Sequence, residues 1–213
     1  MADETEPTQD ILTLAELLCA RVCHDLAGPV GATAAGAELF EDLGGGDAET
    51  LALVSTSASG AAARLRLLRA ALGPAHSSPQ SQSALRGLVD GHLHSQASVA
   101  APAIVTTWID CPDQIDGDRA RLLLNLVLLG RDALPRGGHM ELSLTDGWPA
   151  LLAHGEPASL ADDVKTALHE GGLADGPRAA QAVFTRLLAK KLSGHITATL
   201  TPRGLRVAVK PAD

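Results

Sequence analysis

Residues 21–30 run Arg21-Val22-Cys23-His24-Asp25-Leu26-Ala27-Gly28-Pro29-Val30, and this stretch decides the architecture. It lies inside a long amphipathic run. Leu14, Leu18, Val22 and Leu26 recur every four positions and form one apolar stripe on a helix. His24 stands two positions from both Val22 and Leu26, roughly 200° around the helix. Its imidazole therefore points away from the stripe that has to be buried. The same side collects Leu17, Ala20, Arg21, Ala27, Gly28, Gly31 and Ala35, a strip nearly free of side chains where another protein's surface can come close. Gly28 and Gly31 each cost about 1 kcal/mol of helix propensity relative to alanine, and Pro29 about 3. Three such residues directly after a histidine point to close approach or a local bend. Pro29 has no amide proton, so the carbonyl of Asp25 loses its usual helical partner.

Outward from this centre, periodicity predicts a helix from near Gln9 to about Leu43, preceded by a disordered tail over 1–9. Gly44-Gly45-Gly46 stops it. Asp47 is a suitable N-cap for a second helix ending at Gly73-Pro74. There Leu51, Val54, Ala58, Ala61, Leu65, Leu68 and Leu72 alternate spacings of three and four, a heptad-like pattern. Two long helices joined by a short loop make an antiparallel hairpin over 10–73 that cannot enclose a core alone. Pairing two hairpins into a four-helix bundle in a homodimer solves the burial problem. Packing of the hairpin on its own C-terminal half is the alternative.

Residues 74–83, rich in Ser, Pro and Gln, are predicted as a linker. The pattern then changes. Helices are expected at Ala84 to Gln96, Asp116 to Leu134, Asp162 to Glu170 and Arg178 to Leu192. Strands are expected at Ile104–Ile109 and Met140–Thr145, with a closing hairpin of His195–Thr201 and Gly204–Val209. Residues 147–160 carry no decisive pattern. The fold class is α+β, with helices covering one face of a mixed sheet over 84–213.

The chain has 213 residues, a net charge of −8 and 46% hydrophobic residues. An acidic chain with two Phe, two Trp and no Tyr is a poor match for nucleic acid or an anionic membrane. No run approaches a membrane span, and the acidic N-terminus is unlike a signal peptide. Cys19, Cys23 and Cys111 form no disulfide framework and fit a reducing cytoplasm. Cys19 and Cys23 are expected as small buried hydrophobes rather than zinc ligands. His92 and His94 diverge on a helix. His76, His139, His154, His169 and His195 lack neighbouring ligand spacing, so no metal site is expected.

The run His24-Asp25-Leu26-Ala27-Gly28-Pro29-Val30 resembles the H-box of dimerising sensor histidine kinases. Residues 122–138 resemble their N-box region, and Ala182 to Val209 their last helix and hairpin. Three departures separate the chain from active kinases. Asn125 is present, but the second asparagine position holds Leu129. The nearest match to the adenine-binding Asp-x-Gly-x-Gly loop, Thr145-Asp146-Gly147-Trp148-Pro149-Ala150, lacks its second glycine. The Gly-x-Gly turn before the last helix is replaced around Arg178, Ala179 and Gln181. A dimerisation hairpin joined to a degenerate kinase-like α/β sandwich ATPase domain is similar to the ChpT-type bacterial histidine phosphotransferases.

That resemblance implies a phosphorelay role. His24 would be the phosphorylated nucleophile, shuttling a phosphoryl group between receiver aspartates without ATP. Asp25 would orient it, or stand as a solvated charge or bundle contact. Arg21 would contact the phosphoryl group or a receiver acid, or be a solvated face residue. Leu17, Ala20, Ala27, Gly28 and Gly31 would form the docking surface, with tight bundle packing as the alternative. Asp132 and Arg136 are expected to cap or solvate a helix end. No cofactor of its own is implied; Mg²⁺ would come from the receiver. Partners would be response-regulator receivers, an upstream hybrid kinase receiver and a second copy of the chain. An active small histidine kinase and a non-catalytic dimeric interaction module are the alternatives.

Overall fold

The computed structural model describes residues 6–45, 47–97, 102–169, 172 and 174–212. Helix α1 (Glu6–Asp42) runs antiparallel to α2 (Ala48–Leu72), forming the expected hairpin. Asp47 caps α2, its carboxylate accepting from the amides of Glu49 and Thr50 at 3.1 and 3.2 Å. The turn opens at Gly44 and Gly45, with φ of +73° and +78°; Gly46 lies outside the described residues. Helix α1 begins earlier than expected, so 6–9 are helical backbone rather than disordered tail, while 1–5 lie outside the described residues.

The second half contains β1 (Gln80–Ser81), α3 (Gln82–His94), β2 (Ile104–Ile109), β3 (Gln114–Ile115), α4 (Gly117–Ala133), β4 (Gly138–Thr145), β5 (Trp148–His154), α5 (Asp162–Leu168), α6 (Pro177–Lys191), β6 (Gly194–Thr201) and β7 (Gly204–Pro211). Five strands form one mixed sheet in the order β2-β4-β5-β7-β6, with only β2 and β4 parallel. Strands β1 and β3 form a separate two-stranded ribbon. Two expectations need correction. The stretch 74–83 is not purely a linker: Gln80 and Ser81 pair with β3, and the Ser81 hydroxyl caps α3 by accepting from the Ala84 amide at 3.2 Å. The undecided stretch 147–160 contains β5, the central strand of the sheet. The dipeptide Asp146-Gly147 supplies its hairpin turn, with φ of +52° and +78°, the positive values that a type I′ turn requires.

Helix α4 lies at the centre. Leu122, Leu123, Leu124, Leu126, Val127, Leu128 and Leu129 are all buried, as expected of a helix apolar all round. It packs between β5 on one side and α2 and α6 on the other. Gly130 permits the close approach: a Cβ there would lie 2.6 Å from Leu151 Cδ1 and 3.2 Å from Met140 Cε.

The hairpin joins this core at one end. Leu67, Leu68 and Ala71 belong to the same cluster as α4, and Leu14, Val22 and Leu26 pack against it. One end of the hairpin therefore packs on the chain's own C-terminal half. Along α2, however, the expected heptad residues Leu51 and Leu65 remain 54% and 51% exposed. Ala63, Leu67 and Ala71 are buried instead on the side facing α3 and α4.

Candidate functional site

Helix geometry delivers His24 as expected. Its side chain is 86% exposed, and Nδ1 lies 3.3 Å from Asp25 Oδ1. An ionised carboxylate only accepts, so in the neutral ring this contact favours the tautomer with the proton on Nδ1 and the lone pair on Nε2. The helix persists through Pro29, and the carbonyl it frees is not left unpaired. Arg64 of α2 donates from Nη1 to Asp25 O at 3.0 Å, and from Nη2 to Ser95 O at 2.7 Å. One guanidinium thus joins α1 to the end of α3, using the acceptor that proline created.

Arg21 is placed otherwise than expected. It is 5% exposed and donates from Nη1 to Asp132 Oδ2 at 2.7 Å, with Nε 3.8 Å from Asp25 Oδ2. The α1 face around Arg21 packs on the second half of the chain, so this side chain is neither a solvated face residue nor open to a receiver acid. Asp132 correspondingly is an ion-pair partner rather than a solvated helix end, whereas Arg136 is exposed. Leu17 is half-buried, and Ala20, Ala27, Gly28 and Gly31 are exposed. Cys19 and Cys23 are exposed free thiols rather than buried fillers, and Cys111 is a half-buried one.

His24 stands over a cleft of about 390 Å³. Arg21 and Asp25 of α1, His92 and Gln96 near the end of α3, and Arg131 and Asp132 of α4 line it. Asp163 of α5 and the start of α6, including Gly176 and Arg178, complete the wall. The cleft thus brings charges of both signs from both halves of the chain beneath one exposed imidazole.

Asn125 does not face this cleft. It is fully buried, donating from Nδ2 to Ala71 O and Arg121 O at 2.8 Å each and accepting from Gln181 Nε2 at 2.5 Å. Leu129 and Ala179 are also fully buried. The positions compared with kinase nucleotide contacts therefore serve α2–α4–α6 packing. The Asp146-Gly147 stretch is a hairpin tip.

Sequence reasoning missed a relay of contacts in the cleft wall. Arg131 donates to Gln96 Oε1, and Gln96 Nε2 lies 2.8 Å from His92 Nε2. Spacing shows only that His92 and His94 diverge on a helix, and nothing local marks His92 as buried. Burial, reinforced by the charges of Arg64, Arg131 and Arg21, pushes His92 down to about 3. The unfolded chain protonates it near its ordinary pKa, ~6.5. Between these values the unfolded state binds the extra proton, so folding stability falls as pH drops below ~6.5, by up to about 1.4 kcal/mol per unit. In urea unfolding at pH 7.5 and 4.5, His92→Gln is expected to lose less stability across that interval than the parent. Equal losses would show that His92 titrates freely in the folded state.

Comparison with known proteins agrees with this geometry. A family model, the histidine phosphotransferase C-terminal domain, matches residues 82–204. The protein phosphotransferase ChpT of Brucella abortus (strain 2308) is 34% identical over 206 residues, covering 90% of this chain and 94% of that protein. The 1.7 Å structure of a bacterial phosphotransferase superposes with a TM-score of 0.77 at 27% identity, covering 93% of this chain and 96% of the other. With an exposed H-box histidine on a helical hairpin and these matches over most of its length, the chain belongs to the histidine phosphotransferase family.

Proposed function

We propose that His24 is the phosphoryl carrier through which this phosphotransferase relays a phosphoryl group between receiver aspartates. The carrying observation is the exposed ring with Nδ1 directed at Asp25, which presents Nε2 outward as a nucleophile. A phospho-aspartyl receiver docks along the strip of Ala20, Ala27, Gly28 and Gly31, with Leu17 at its border. Nε2 attacks the phosphorus in line; the P–N bond forms as the P–O bond to aspartate breaks, and that aspartate leaves as a carboxylate. Charge spreads over the equatorial oxygens, so catalysis is chiefly positioning and electrostatics. The receiver brings Mg²⁺ for that purpose. Transfer to a second receiver reverses the step. An upstream hybrid kinase receiver is the donor in this scheme.

Two further elements complete the proposal. The chain acts as a homodimer through a four-helix bundle, supported by exposed Leu39, Leu43, Leu51 and Leu53 on the hairpin. The phosphoryl group comes from a receiver and not from ATP, supported by the burial of Asn125, Leu129 and Gln181 in the core. Three free cysteines suit a reducing cytoplasm. The test is incubation with a radiolabelled phospho-receiver, and separately with Mg·ATP. Label reaching the chain only from the receiver, in an acid-labile form, is the expected result; self-labelling from ATP would overturn it.

Docking at the glycine strip has its own consequence. A Cβ at Gly28 or Gly31 would meet nothing within 4 Å in this chain. Alanine at either position should therefore raise helix stability by about 1 kcal/mol. Gly28→Phe should keep the parent's thermal stability while slowing receiver transfer by roughly tenfold or more, equivalent to about 1.4 kcal/mol in the barrier. Unchanged transfer rates in Gly28→Phe would remove this strip from the docking surface.

A further inference from the structure

The other face of the sheet carries a cluster that the phosphotransfer chemistry does not use. Met140, Leu142 and Ala153 point into the core and are fully buried. Residues alternate across a strand, so His139, Glu141 and His154 lie on the face turned away from α4. Register sets His139 directly opposite His154 across the β4–β5 pair. The two imidazoles stack with centroids 5.7 Å apart. Each of the three residues offers a ligand atom, and these atoms all lie within 4.8 Å of one another.

We propose that His139, His154 and Glu141 form a binding site for a divalent transition metal, with Zn²⁺ the ion their chemistry favours. The His154–Glu141 geometry is the central observation. Nε2 of His154 lies 3.4 Å from Glu141 Oε1, yet it is buried and makes no hydrogen bond among the described residues. Two ligands of a tetrahedral ion, each at about 2.05 Å, stand about 3.3 Å apart and aim at the ion rather than at each other. Two neutral imidazoles and one carboxylate are a ligand set that Zn²⁺ takes with a water in the fourth position. Thr107 Oγ1 lies 2.7 Å from His139 Nε2 and orients that ring from β2, as an outer-shell partner does. Arg203, in the β6–β7 turn, donates to Glu141 Oε1 at 2.7 Å from a side chain that is 68% exposed. It competes with a cation for that oxygen and is free to swing into solvent when the ion binds. The bound ion would tie the β4–β5 hairpin at its open end, six pairs in register from the Thr145–Trp148 pair beside the turn.

The full chain, purified without a histidine tag, is titrated with Zn²⁺ by calorimetry and with Co²⁺ by visible absorption. One ion per chain is expected, with a low-coordinate Co²⁺ spectrum and no thiolate-to-metal band. His154→Ala and the double variant His139→Ala/His154→Ala should each weaken binding by roughly tenfold or more, and Thr107→Val by roughly tenfold. Arg203→Ala should tighten it several-fold, an effect that simple loss of fold does not produce. Receiver transfer in the metal-free His154→Ala variant should match that of the metal-free parent. Binding unchanged in the double variant, a thiolate band from Cys19 or Cys23, or no saturable binding would each overturn the proposal.

Discussion

His24→Ala keeps the parent's thermal stability and accepts no phosphoryl group from a labelled receiver. The stability expectation follows from position: the side chain is 86% exposed, its polar contact is with the neighbouring Asp25, and alanine is the best helix former. The loss of transfer follows from chemistry. Among the side chains bordering the cleft, His24 alone combines exposure with a nitrogen lone pair directed outward, while His92 is fully buried and engaged with Gln96. No other imidazole on the cleft is exposed, and an acid-labile, base-stable phosphoramidate needs one, so the expected effect is loss of that label to background. His24→Gln, which retains a polar group of similar reach, should be equally inactive. The readout is receiver-to-chain transfer, followed by lability of the label to acid and its stability to base, the signature of a phosphoramidate. Residual acid-labile label at the parental rate in His24→Ala would place the carrier elsewhere and rule out phosphoryl transfer through His24. Asp25→Asn separates orientation from nucleophilicity. It keeps the nucleophile but offers Nδ1 a weaker acceptor, so transfer should slow without being abolished.

The second large effect is on the fold. Arg21 and Asp132 form an ion pair at 2.7 Å with side chains 6% and 14% exposed. Removing one partner of such a pair leaves the other charge poorly solvated and unpaired, and typically costs about 3–5 kcal/mol. Asp132 retains some solvent contact, so Arg21→Ala is expected near the lower end, about 3 kcal/mol. For a chain of this size that corresponds to a fall in Tm of roughly 6–12 °C. Replacing both partners with apolar residues of similar volume, Arg21→Met with Asp132→Leu, should recover most of the loss, because the isolated charge is what destabilises. Urea denaturation of the two singles and the double measures this directly. A change below about 0.5 kcal/mol in Arg21→Ala is what a surface ion pair would give, and would mean that the pair does not fasten α1 to the end of α4.

Much of the site was legible because helices obey local geometry. The outward direction of His24 follows from a turn of about 100° per residue and the position of the Leu14-Leu18-Val22-Leu26 stripe. Pro29 announced a free carbonyl at Asp25, although the donor that takes it, Arg64, comes from a different helix. Asp47 announced the start of α2 through ordinary capping chemistry. One signal was present and misread. Asp146-Gly147 is a hairpin turn dipeptide, and its recognition would have generated β5 and, by counting outward, the pairing of His139 with His154. Interpreted as a decayed nucleotide loop, it concealed both.

The sequence by itself determined the helices and their order, the helical hairpin, the strands β2, β4, β6 and β7, the α+β class and the exposure of one imidazole, but not β1, β3 or β5. Each of these rests on periodicity, capping and turn residues acting over a few positions. Tertiary structure alone decided that Arg21 turns inward to Asp132, that Asn125 and Gln181 satisfy each other in the core, and that His92 is stripped of solvent beside three arginines. Those partners are separated by tens to more than a hundred residues. Their pairing is set by how whole helices and strands pack, and spacing along the chain carries no record of it.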